Sequence, residues 1–186
     1  MTDIPDEVRW QMRADEKPRW IGYPIPRKYA LKQGLPMLLF AIPWTGISAT
    51  FEAGAAKSGS IFALLWGIPF IVIGLRLLAS PLWEYWRALR TVYVVSDQRL
   101  LILGGLLHPS TKSFTLSDIG PLEVDAGGDG SGSIVFSQHR TRDPEGGWNV
   151  EKIGFIAVPN VREAAEHIAR LKDRTMGPGG QQALPR

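Results

Sequence analysis

The sequence predicts a membrane α+β protein: a two-helix transmembrane hairpin, then an antiparallel β domain closed by a C-terminal helix. Three observations predict it. An apolar block from Gly34 to Leu82 lies between ordinary polar flanks. Short β-branched and alternating runs separated by turn residues begin at Thr91. A single apolar face at helical spacing begins at Val161.

The hairpin comes first. Between Lys32 and Glu52 lie nineteen uncharged residues, Gln33–Phe51, and between Lys57 and Arg76 another eighteen, Ser58–Leu75. At 1.5 Å per residue, either run nearly crosses a hydrocarbon core of about 30 Å. Arg76 is expected to snorkel to the headgroups, so the second span runs from Ile61 to about Leu78, with Leu82–Trp86 as an interfacial helix. At that depth every backbone polar group must be satisfied within the chain, which selects helices. The short link Glu52–Lys57 makes the spans antiparallel. A buried hairpin in a soluble core is the alternative, and two such charge-free runs in one small chain weigh against it.

Charge sets the orientation. Lys17, Arg19, Arg27, Lys28 and Lys32 precede the first span with no acid among them; Arg87 and Arg90 follow the second, against Glu84. Both termini are therefore expected in the cytoplasm, in a multi-pass inner-membrane protein. From Arg90 onward eleven bases balance eleven acids, so the positive excess sits beside the spans. That argues against a nucleic-acid partner and suits anionic phospholipids. Met1–Glu7 is acidic, without the pattern of a signal peptide, so the first span is expected to stay as an anchor.

Chemistry is sparse. There is no cysteine, and His108, His139 and His167 are scattered. The segment Asp125–Ser133 offers too few oxygen ligands for an EF-hand, and Gly127–Gly132 lacks the lysine of a phosphate-binding loop. Catalytic residues, metal ligands and a cofactor are not expected, and neither span holds a deep acid. Five of seven tryptophans, Trp20, Trp44, Trp66, Trp83 and Trp86, lie in or beside the apolar block. Gly46 and Thr50, Ala63 and Gly67, and Gly74 offer small surfaces for close helix approach. They serve either a partner membrane protein or packing within the hairpin.

Strands are expected at Thr91–Val95, Leu100–Leu103, Lys112–Leu116, Leu122–Val124, Ser133–Ser137 and Val150–Ile156, the last with a bulge at Gly154. Polar loops are expected at Gly127–Gly132 and Arg140–Trp148. Val161, Ala164, Ala165, Ile168 and Leu171 form the helix face, with Asn160 and Glu163 as a capping pair. The boundaries follow: a cytoplasmic segment 1–32, the hairpin 33–86, the β domain 90–174, and a disordered tail 175–186 rich in glycine and proline.

Local features then carry a resemblance. Trp20-Ile-Gly-Tyr-Pro24 precedes the first span, and Thr91-Val-Tyr-Val-Val-Ser-Asp-Gln-Arg-Leu100 reads as a hairpin. Leu116-Ser-Asp-Ile-Gly-Pro121, then Ser133-Ile-Val-Phe136, and finally Phe155 with Val158-Pro-Asn-Val161 complete the set. Together they resemble the bacterial pleckstrin-homology-like (PH-like) membrane proteins. The resemblance implies a PH-like domain and no shared catalytic residues. The expectation is a non-enzymatic accessory, assembly or stabilising subunit on a larger integral membrane protein complex. The alternative is an anionic-lipid-binding or self-assembling scaffold. Trp20, Tyr23, Arg27, Lys28, Lys32, Arg90 and Arg99 are the candidate lipid or interface residues.

Overall fold

The computed structural model describes residues 5–105, 110–142 and 148–176. The chain divides into two compact units, one from residue 26 to 88 and one built from the residues on either side of it.

The helical unit holds α2 (Pro26–Ser58), α3 (Ile61–Leu78) and α4 (Ser80–Leu89). The first two are long and apolar enough to cross a membrane, by length and composition. Helix α3 matches the expected second span. Helix α2 does not stop where the uncharged run stops. It takes in Arg27, Lys28 and Lys32 at one end and the expected link Glu52–Lys57 at the other. Alanines 53, 55 and 56 favour helix there. The turn falls instead at Gly59, whose φ of +71° suits a residue without Cβ. Ser60 then caps α3 by accepting the Ala63 N–H at 3.3 Å.

Glycines form the seam of this hairpin. A Cβ at Gly67 would strike the Glu52 carboxylate, and one at Gly74 would meet the Thr45 side chain. Gly34 abuts the backbone of Pro81 at 3.0 Å from its would-be Cβ. The hydroxyls of Thr45, Ser48 and Thr50 donate to carbonyls of their own helix, at Ala41, Trp44 and Ile47. That satisfies them without water. The large apolar residues point the other way: Leu39, Phe40, Ile42, Ile47, Ile61, Phe62 and Trp66 are all more than half exposed.

The second unit has two antiparallel sheets. The first has the order β1-β2-β3-β4, from Pro18–Gly22, Val92–Ser96, Arg99–Gly104 and Ser110–Thr115. The second has the order β5-β6-β7, from Glu123–Ala126, Gly132–Arg142 and Trp148–Val158. Helix α5 (Val161–Met176) closes the unit, burying Val161, Ala164, Ile168 and Leu171 against Tyr93, Leu100, Phe136 and Phe155. The side chains of Asn160 and Glu163 meet, the amide donating to the carboxylate at 3.3 Å. Gly154 lies at a register irregularity between β6 and β7, where a Cβ would strike the Ile134 carbonyl. The expected tail begins within α5, and its residues from 177 on lie outside the described residues, as do His108 and the centre of the Arg140–Trp148 loop.

The main departure from the sequence reading is at the N-terminus. Residues 6–22 are not a separate segment. Strand β1 pairs antiparallel with β2, Ile21 opposite Val94, and so supplies the edge of the first sheet. The helical unit is thus an insertion in the connection between two paired strands. Ahead of β1, a short helix α1 (Asp6–Gln11) lays Val8 over Val92, Val94, Leu101 and Leu103. Strand β2 is therefore buried on both faces, which explains its unbroken apolar run.

Candidate functional site

Among the described residues no cluster of histidine, cysteine or acid could hold a metal ion. Asp129 in the glycine-rich loop is used locally: its Oδ1 accepts the Ser131 hydroxyl at 2.8 Å. The chemistry that stands out is a clasp between the N-terminal segment and β3. Arg99 Nε donates to Glu16 Oε1 at 3.0 Å, and Arg99 Nη2 donates to Glu16 Oε2 at 2.9 Å. The remaining donors reach the Gln11 carbonyl at 3.0 Å and the Ser113 hydroxyl at 3.1 Å. The Arg13 N–H also donates to Glu16 Oε2 at 3.0 Å.

Glu16 is buried. Burial alone would raise its carboxyl, but hydrogen bonds from Arg99, Ser96 and the Arg13 amide outweigh that and hold it at about 2 rather than 4.5. Next to the clasp, Lys17 N–H donates to Asp97 Oδ1 at 2.9 Å and Asp97 N–H to the Lys17 carbonyl at 3.1 Å. Arginine suits this position because its fork engages both carboxylate oxygens and still has donors for a carbonyl and a hydroxyl.

The expected lipid or interface residues therefore part company. Arg99 is committed to Glu16, with only 15% of its side chain exposed, so its fork is turned inward. Trp20 is partly buried against the core: it stacks on Phe155 at 6.0 Å and folds back over Gly22, leaving no space for a Cβ there. Tyr23 is half exposed, while Arg27, Lys28, Lys32 and Arg90 are exposed. Lys28 and Lys32, four apart in α2, share one helix face. The expected packing residues divide as well. Gly67 and Gly74 are buried in the hairpin seam, Ala63 is partly buried, and Gly46 and Thr50 are exposed, with nothing within 4 Å of a Cβ at Gly46.

Sequence reasoning missed Glu16. Its signal was faint: one acid in Arg13-Ala-Asp-Glu-Lys17, with its partner far along the chain.

Two antiparallel sheets of four and three strands, closed at one end by a C-terminal helix, make the second unit PH-like. A family model described as Bacterial PH domain matches residues 37–172, more than half of the chain. The chain belongs to that family. The match includes most of the helical unit and begins after β1. No curated protein and no solved structure matches the chain. Family membership fits a protein with an interaction or scaffolding role.

Proposed function

We propose that this protein is a membrane-anchored, non-catalytic subunit. It docks onto a larger integral membrane complex of the bacterial inner membrane and presents its PH-like domain in the cytoplasm. The observation that carries the reading is the direction of the apolar side chains in the helical unit. Only 11% of the apolar window of each long helix is buried, while small residues fill the seam. A hairpin in a soluble core would bury these side chains. An apolar surface of this extent calls for hydrocarbon or a partner around it. The charge-free runs, one between Lys32 and Glu52 and the other between Lys57 and Arg76, support hydrocarbon over an aqueous partner.

Docking is supported by the outward Gly46 and Thr50, small residues that the hairpin itself does not use. The PH-like domain adds a surface suited to interaction. The test is purification of the full chain in a mild detergent, with co-purifying proteins identified by mass spectrometry. A stoichiometric membrane complex is the expected result. Recovery of the chain alone from native membranes, or its release from membranes by alkaline carbonate, overturns the reading.

A further inference from the structure

We infer that the elbow between α3 and α4 is a binding site for the phosphodiester headgroup of an anionic glycerophospholipid. The inference rests on the membrane placement of the hairpin argued above, and it names a lipid and the residues that hold it. The elbow holds a cavity of about 330 Å³, lined chiefly by Met37, Arg76, Ser80, Leu82, Trp83 and Trp86.

Arg76 is the first charge after eighteen uncharged residues. It is exposed and makes no hydrogen bond or ion pair among the described residues. Four residues on, the Ser80 hydroxyl is buried without a hydrogen-bond partner. A buried hydroxyl left unpaired is costly in free energy. It lies at the first position of α4, just after α3 ends at Leu78. An arginine fork and a hydroxyl donor lining one cavity are what the oxygens of a phosphodiester accept.

The other walls suit the rest of a lipid. Met37 and Leu82 are apolar and fit the start of an acyl chain. Trp83 and Trp86 carry an apolar body with one N–H, the chemistry of the headgroup region. Charge then selects the headgroup. Glu84 also lines the cavity, but Arg87 Nη1 donates to both of its oxygens, at 2.9 and 3.2 Å. The cavity is left with the single positive charge of Arg76. That balances a phosphodiester and leaves no acid for an ammonium. A phosphatidylglycerol is therefore preferred to a phosphatidylethanolamine. The apolar walls favour the lipid over free phosphate.

The test is native mass spectrometry of the full chain in mild detergent, titrated with phosphatidylglycerol, phosphatidylethanolamine or inorganic phosphate. The wild type is expected to retain phosphatidylglycerol in preference to the other two. Arg76→Gln should weaken that binding about fivefold. Ser80→Ala, a smaller change at a helix terminus, should weaken it about twofold. Lys57→Gln, at the other end of the hairpin, should leave it unchanged. Equal binding by wild type and Arg76→Gln, or equal retention of the two lipids, overturns the proposal, as does tighter binding of inorganic phosphate. Carbonate extraction separates the two failures. A chain released from membranes defeats the membrane reading itself. A chain retained there whose Arg76→Gln variant still binds phosphatidylglycerol normally defeats only the headgroup site.

Discussion

Arg99 on β3 holds both carboxylate oxygens of Glu16, eighty-three residues earlier, and in doing so ties α1 and the start of β1 to the sheet. Removing the cation strands a buried carboxylate, which is worse than removing both charges. Arg99→Gln should destabilise the protein by about 3 kcal/mol. Glu16→Gln should cost less, and the double variant less than the sum. Denaturant unfolding of the full chain in detergent, followed by near-UV circular dichroism, measures all three. Additive losses would show that the two residues are not coupled.

The same pair sets an acid limit. The folded carboxyl of Glu16 sits at about 2, below its ordinary 4.5. A lowered folded value means that its contribution is complete above about pH 4.5 and is lost as the pH falls toward 2. After allowance for solvent screening the loss is on the order of 2 kcal/mol. Unfolding curves between pH 6 and pH 2 should show it in the wild type. Glu16→Gln should show a shallower decline, and an identical slope in both proteins would refute the assignment.

Trp20 and Gly22 form a second long-range tie, since the indole that stacks on Phe155 also covers the Gly22 backbone. Gly22→Ala should destabilise by about 2 kcal/mol through overpacking. Trp20→Ala opens the space but loses a large, partly buried ring, at about 2 kcal/mol. In the double variant, the Gly22→Ala change should add almost nothing to the loss from Trp20→Ala. Full additivity in thermal unfolding would show that the ring is not what excludes the Cβ.

The glycines of the helical unit should behave in two ways. Gly67→Leu and Gly74→Leu push against Glu52 and Thr45 and should open the hairpin, seen as faster proteolysis in detergent. Gly46→Leu meets nothing within 4 Å and should leave hairpin stability unchanged. In native membranes, however, Gly46→Leu should reduce recovery of the partner complex. Equal proteolysis of all three variants would count against the seam. Undiminished recovery of the complex with Gly46→Leu would remove Gly46 from the proposed docking face.

Much of the architecture could be read from local pattern. Second-span limits, six strand positions and the face of α5 are properties of short windows, because charge-free length and periods of two and 3.6 residues repeat within a few residues. The limits of α2 were harder: uncharged length reports what hydrocarbon tolerates, whereas helix propensity carries the backbone on through Glu52–Lys57.

By itself the sequence determined two long apolar helices, an antiparallel β domain with a closing helix, and the lack of thiol chemistry. Only the tertiary structure decided that residues 6–22 complete the β domain and that Trp20 and Arg99 face inward. It also decided which glycines lie in the hairpin seam. The physical reason is range. Trp20 lies opposite Val95 and Arg99 binds Glu16 across an inserted helical unit. A short tryptophan-containing strand or a single arginine carries no local mark of a partner that far along the chain. A side chain is assigned to core or surface by what folds against it.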